Sequence, residues 1–217
     1  MVQAVSNIEQ TGARLNEAGL VAILRGDYGK DGLLAIAEAL IEVQITAVEV
    51  TLNSRGALDA IPVMREQFGS EILIGAGTCR TPEQVQQAID AGAHLIVAPN
   101  FDPAAVAVAQ VNDVLMTPGI ATPTEAQTAF NAGCKIVKLF PCDILGGPAY
   151  LKAVRAPLDD IKFMPTGGIG LNNIAEYRKA GAYAVGVGTS LVSGVDWKRD
   201  ELKERAAAMR AAWFGAK

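Results

Sequence analysis

Apolar residues in this chain come in short unbroken runs, and between the runs they recur at helical spacing. The first run, Leu20-Val-Ala-Ile-Leu24, shows no polar alternation, so it reads as a strand covered on both faces, as in a parallel sheet. The unit then repeats. Strands are expected over 20–24, 46–51, 72–76, 95–98, 114–117, 136–140, 161–165 and 183–187. Their starts lie about 20–26 residues apart, a length suited to a strand, a loop and a crossover helix. Amphipathic stretches over 31–43, 82–91, 103–111, 123–132 and 172–180 supply helices between them, and others over 3–18 and 197–214 open and close the chain.

Local punctuation supports this division. Pro82, Pro103 and Pro123 stand in first turns, preceded by Thr81, Asp102 and Thr122, whose side chains suit an N-cap. Ala-Gly recurs just before a strand at 18–19, 91–92, 132–133 and 180–181, a helix stop in which glycine takes the left-handed conformation. Gln44 stands where the second strand would want that glycine, so its turn must close differently. Eight strands alternating with helices predict one α/β domain over 1–217, a (β/α)8 TIM barrel with an extra N-terminal helix. A doubly wound open sheet is the alternative, but the Gly-rich turn after the first strand is missing.

Composition narrows the function classes. Half of the 217 residues are hydrophobic, 19% are charged and the formal net charge is −4, which describes a well-packed soluble globule without the basic footprint of a nucleic-acid binder. No apolar run reaches the length of a membrane span, and the first ten residues show no signal-peptide pattern. Cys79, Cys134 and Cys142 are odd in number and lack metal or redox spacing, so reduced thiols in a cytoplasmic protein are expected. His94 is the sole histidine and lies before the fourth strand, so a structural role is expected and no metal site is. No cofactor is expected either.

The unusual polar residues collect where a (β/α)8 barrel places its chemistry, at the carboxyl ends of strands. Arg25 follows the first strand, Glu49 lies within the second with Asn53 just beyond it, Thr78 ends the third, and Lys138 lies in the sixth, in Ile136-Val-Lys-Leu-Phe140. Strand alternation turns Ala47, Glu49 and Thr51 toward the axis, and with them Ile136, Lys138 and Phe140. Burying an ammonium is costly, and a neutral lysine amine can attack a carbonyl to form a Schiff base. The plainer readings are a strand-end lysine with its amine in solvent, or a buried Glu49–Lys138 ion pair that only holds the barrel together. Beyond strands seven and eight lie Pro165-Thr-Gly-Gly-Ile169 and Val187-Gly-Thr-Ser190, where exposed backbone N–H groups could cradle a phosphate.

Five stretches, Val48-Glu-Val-Thr-Leu52, Ile74-Gly-Ala-Gly-Thr78, Met116-Thr-Pro-Gly119, Val137-Lys-Leu-Phe-Pro141 and Met164-Pro-Thr-Gly-Gly168, are similar to those of one enzyme family. It comprises the bacterial 2-keto-3-deoxy-6-phosphogluconate (KDPG), 2-keto-3-deoxy-6-phosphogalactonate and 4-hydroxy-2-oxoglutarate (KHG) aldolases. The resemblance implies a metal-free class I aldolase, working as a homotrimer, that cleaves a phosphorylated keto acid to pyruvate and glyceraldehyde 3-phosphate. It implies Lys138 as the Schiff-base residue and Glu49 as the proton carrier. It places Arg25, Asn53, Thr78, Pro99, Thr166, Gly167, Gly168, Gly188, Thr189 and Ser190 around the substrate. Asn53 departs from the gluconate-type enzymes, which carry an arginine there. With Arg25, it looks more like the galactonate type, whereas Met164-Pro-Thr-Gly-Gly168 leans toward the gluconate type. The alternatives are a 4-hydroxy-2-oxoglutarate aldolase and a phosphate-binding barrel isomerase or epimerase.

Overall fold

A computed structural model describes residues 6–194 and 196–216. The chain opens with α1 (Asn7–Ala18) and continues through β1 (Leu20–Leu24), α2 (Gly29–Glu42), β2 (Ala47–Thr51), α3 (Ala57–Phe68), β3 (Leu73–Gly77), α4 (Pro82–Asp90), β4 (Leu95–Val97) and α5 (Pro103–Val111). It goes on with β5 (Leu115–Thr117), β6 (Gly119–Ile120), α6 (Pro123–Asn131), β7 (Ile136–Leu139), α7 (Gly147–Arg155), β8 (Lys162–Pro165), α8 (Ile174–Lys179), β9 (Val185–Val187) and α9 (Arg199–Gly215). The expected first helix began at residue 3; residues 3–5 lie outside the described residues, and Ser6 caps α1 by accepting from Glu9 N–H at 3.2 Å.

The expected local signals are the ones that terminate the helices. Thr81, Asp102 and Thr122 accept the N–H groups of Gln84, Ala104 and Glu125 at 3.3, 2.9 and 3.3 Å, and Glu125 completes a capping box. Gly19, Gly92, Gly133 and Gly181 all have positive φ, and Gln44 closes its own turn by adopting φ 61° without being glycine. α3 and α7, absent from the expected set, carry Pro62 inside the helix and a Gly-Gly-Pro start, features that blur helical periodicity.

All paired strands are parallel and form a curled sheet in two hydrogen-bonded sections, ordered β5-β4-β3-β2-β1-β9 and β6-β7-β8. A parallel bridge from Thr166 to Gly186 joins β8 to β9. The expected fifth strand, 114–117, is β5; β6 beyond it was not expected, and Pro118 separates the two. The ladder runs from Lys138 N–H to Pro118 O (2.8 Å) and from Phe140 N–H to Ile120 O (3.0 Å). One step earlier it would need an N–H from residue 118, which proline lacks, so pairing with β7 stops there.

Apolar residues pack in two layers. Val48, Val50, Val137 and Leu139 belong to the large cluster between sheet and helices, while Leu15, Val21, Ala47, Leu73, Leu95, Ile136 and Met164 fill the inside of the curl. α1 closes the amino end, with Leu15 fully buried there and Tyr183 OH donating to Gly12 O at 2.9 Å. Gly19 ends α1 at φ 66°, and a Cβ on it would lie 2.1 Å from Trp213 Nε1. His94 accepts Ile74 N–H on Nδ1 at 3.1 Å, and burial, then the nearby Arg65 and Arg14, push its pKa from 6.5 down to about 4.

Two outcomes follow from these contacts. Gly19→Ala should cost about 2 kcal/mol or more, since it adds both a strained φ and a steric overlap, as read by urea unfolding. For His94 the depressed folded pKa means the unfolded chain takes up a proton that the folded chain refuses, so stability falls as pH drops from 6.5 toward 4. Between pH 7 and pH 5 this amounts to roughly 2 kcal/mol, which His94→Asn should not lose; parallel pH profiles for the two proteins would refute the assignment.

Candidate active site

The strand alternation that buries Val48 and Val50 outward turns Glu49 inward, where it is fully buried. Neither carboxylate oxygen has a hydrogen-bond partner among the described residues. The carboxylate lies over Gly77 of β3, where a Cβ would come within 1.9 Å of Oε1. The last glycine of Ile74-Gly-Ala-Gly-Thr78 is thus the space that Glu49 occupies. Below it Cys79 is buried, and burial together with the Glu49 charge pushes its thiol up to about 12, which leaves an inert sulfur.

On β7 the same alternation turns Lys138 inward at 2% exposure, with Nζ 5.0 Å from the Phe140 ring centroid. Its neighbour in register is Gly119, where a Cβ would meet the Pro99 carbonyl carbon at 2.2 Å. Only glycine lets β6 lie close enough to Pro99 to pair with the lysine strand. Lys138 and Glu49 are absent from the ion pairs of the described residues, so the ion-pair reading of these two groups does not describe this structure.

A cavity of about 310 Å3 opens at the carboxyl ends of β1, β7, β8 and β9, and it gathers Arg25, Lys138, Thr166, Gly167, Gly168, Gly188, Thr189 and Ser190. Ile23, Phe140, Ile169, Gly170, Asn172, Gly186 and Val192 complete its lining. Phe140 and Ile23 were accessible by alternation. Gly186 was not, and its role is steric: a Cβ there would stand 2.5 Å from Thr166 Oγ1. That hydroxyl is buried with no hydrogen-bond partner among the described residues, so it is uncommitted. Gly167 and Gly168 have φ 107° and 62°, and Asp143 packs against both. Among the described residues no hydrogen bond uses the main-chain N–H of Gly167, Gly168, Thr189 or Ser190.

Arg25 is positioned by a latch that the sequence did not suggest. Thr51 Oγ1 donates to Leu24 O (3.3 Å) and lies 2.9 Å from Ser54 Oγ, which accepts Gly26 N–H at 3.1 Å. The loops after β1 and β2 are thereby tied together on either side of Arg25 and Asn53. Asn53 itself is exposed and outside the cavity lining, as are the half-buried Thr78, at φ 62°, and Pro99. Cys142 is buried, and burial raises its thiol to about 11, so it is packing rather than a nucleophile. No group of three or more His, Cys, Asp or Glu among the described residues could hold a metal ion, and no helix there is long and apolar enough to cross a membrane.

The family model "KDPG and KHG aldolase" matches residues 11–207. The 2-dehydro-3-deoxy-6-phosphogalactonate aldolase of Escherichia coli is 38% identical over 198 residues, 91% of this chain and 93% of that one. The 2-dehydro-3-deoxy-phosphogluconate aldolase of Pseudomonas aeruginosa is 35% identical over 215 residues, 95% of this chain and 97% of its own. Among solved structures, the KDPG aldolase of Legionella pneumophila, with pyruvate captured at low pH as a covalent carbinolamine intermediate, superposes with a TM-score of 0.79 at 27% identity, covering 96% of this chain and 98% of that one. With the match running through nearly the whole chain, this protein belongs to the KDPG and KHG aldolase family of aldehyde-lyases.

Proposed function

We propose that this protein is a class I, Schiff-base aldolase that cleaves a 2-keto-3-deoxy-6-phospho sugar acid of the gluconate or galactonate type to pyruvate and glyceraldehyde 3-phosphate. The observation that carries the reading is Lys138: a nearly fully buried amine that lines a cavity and, among the described residues, takes part in no ion pair, with the Glu49 carboxylate, unbonded among the same residues, on the same inward face outside the lining. The carbinolamine captured in the Legionella relative supports the same chemistry.

In this mechanism the Lys138 amine adds to the C2 ketone, and the carbinolamine loses water to give an iminium. The C3–C4 bond then breaks, its electron pair moves through C3 to the iminium nitrogen, and the C4 hydroxyl loses its proton as the aldehyde leaves. Glu49 carries the protons, first in carbinolamine dehydration and then at the C4 hydroxyl. The enamine regains a proton at C3, and water releases pyruvate from Lys138. Arg25 holds the carboxylate by a two-pronged contact, with Thr78, Pro99 and Asn53 near the pyruvyl end and Thr166 deeper in the cavity. Main-chain N–H groups of Gly167, Gly168, Gly188 and Thr189, with Ser190, hold the phosphate, whose binding helps orient the reacting carbon.

We infer further that the curled sheet closes into a single (β/α)8 barrel over 1–217. The Thr166–Gly186 bridge on one side and the continuous chain through Pro118 on the other support closure. Assembly as a homotrimer is carried over from the resemblance, and a cytoplasmic location from three cysteines without disulfide or metal spacing.

Borohydride reduction in the presence of pyruvate should leave one covalent adduct, mapped by peptide mass analysis to Lys138 and absent from Lys138→Met. An adduct elsewhere, or none, would sink the Schiff-base reading. Glu49→Gln should lower kcat by roughly 100-fold to 10,000-fold, the range of a general acid–base group. The phosphate cradle is tested by comparing 6-phosphorylated substrates with 4-hydroxy-2-oxoglutarate. Equal kcat/KM would reject the cradle and favour the unphosphorylated substrate, while the two C4 epimers of the phosphorylated acid distinguish gluconate from galactonate type.

A further inference from the structure

The described residues enclose a second, larger cavity of about 510 Å3 at the amino end of the strands, opposite the one that holds Lys138. It opens at the seam left by Pro118. In this half of the sheet β5 pairs only with β4, and β7 pairs with β6 and β8, so nothing stitches the start of β5 to the start of β7. Val114 and Leu115 form one side of the gap, Lys135 and Ile136 the other, and α1 lies across it through Ile8 and Gly12.

The lining combines an apolar body with two cations, Lys135 and Lys162. Lys162 N–H donates to Lys135 O at 3.0 Å, which sets both lysines at the starts of neighbouring strands. The Lys162 amine stands 4.8 Å from the Tyr183 ring centroid, and the Tyr183 hydroxyl is itself fixed on Gly12 O. Neither lysine takes part in an ion pair of the described residues. Two acids also line the cavity. Asp113 is committed, since its carboxylate accepts the N–H groups of Asn7 and Ile8 at 2.8 and 3.3 Å. Glu9 makes no ion pair among the described residues, and both carboxylates oppose an anion.

We propose that this cavity is a second ligand site, which binds a small organic carboxylate with an apolar body. The carboxylate sits between Lys135 and Lys162, and the body fills the space under α1 bounded by Ile8, Val106, Val114 and Ile136. Apolar walls of this extent favour an apolar occupant, and two unpaired ammonium groups at one rim give it a sign and an orientation. β7 belongs to both sites: Ile136 lines this cavity and Lys138, two residues along the same inward face, lines the other.

The test is calorimetric titration of the full-length chain with naphthalene-2-carboxylate at low ionic strength. One saturable equivalent should bind per chain. The uncharged naphthalene-2-carboxamide should bind about tenfold more weakly, the double variant K135Q/K162Q should lose a similar factor, and Glu9→Gln should tighten binding about twofold, all three from the charge at the rim. Ala13→Trp, at an exposed helix position on the lining, should abolish binding while thermal melting stays close to wild type. Saturating pyruvate should leave the titration unchanged. No saturable binding, equal affinity for the carboxamide, an unaltered double variant, or displacement by pyruvate would each overturn the proposal. Displacement would place the probe in the Lys138 cavity instead.

Discussion

Two buried ionisable side chains that do not pair with one another govern the carboxyl half of this sheet. Burying a carboxylate or an ammonium without a partner is unfavourable, and removing both in favour of apolar residues would ordinarily stabilise a core. Glu49 and Lys138 nevertheless occupy inward positions with no ion pair between them. Three glycines make room around them: Gly77 for the Glu49 carboxylate, Gly186 for the Thr166 hydroxyl, and Gly119 for the Pro99 backbone. At the amino end the same face carries Leu73, Leu95, Leu115 and Ile136, with Leu15 of α1 beneath them. The inward face is therefore apolar at one end and glycine-rich at the other. Stability and site are separated along the strand axis by side-chain volume.

What was legible in the sequence is what repeats. Thr81, Asp102 and Thr122 act as caps, the Ala-Gly stops adopt left-handed φ, and the period of two places Glu49 and Lys138 on the inward face. What escaped depends on a single atom or on a non-repeating turn. Pro118 separates β5 from β6 because it lacks one N–H, which no hydropathy pattern records. Gln44 closes a turn in a glycine conformation, and Thr78 follows β3 in one, so the residue type misstates the backbone in both places. Which loop residues reach the cavity was the least legible feature. Arg25 lines it and Asn53 does not, an outcome set by the Thr51–Ser54 latch rather than by spacing.

Charge within the cavity bears on how a substrate would orient. Arg25 and Lys138 are the cations among its lining residues, and the glycine-rich side carries none. Asp143 packs against Gly167 and Gly168 and adds negative charge near them. On the aldolase reading, a substrate with a carboxylate at one end and a phosphate at the other meets a guanidinium only beside β1, and neutral N–H dipoles at the other pole. A cation in the cradle would compete with Arg25 for whichever anionic end arrived first, and could hold the molecule reversed, with its ketone far from Lys138. Neutral donors bind a phosphate more weakly than arginine does but discriminate by shape, since several N–H groups must converge on three oxygens. On that reading, a single guanidinium at the pyruvyl end would fix the direction of binding, and with it the approach of the ketone to the Lys138 amine.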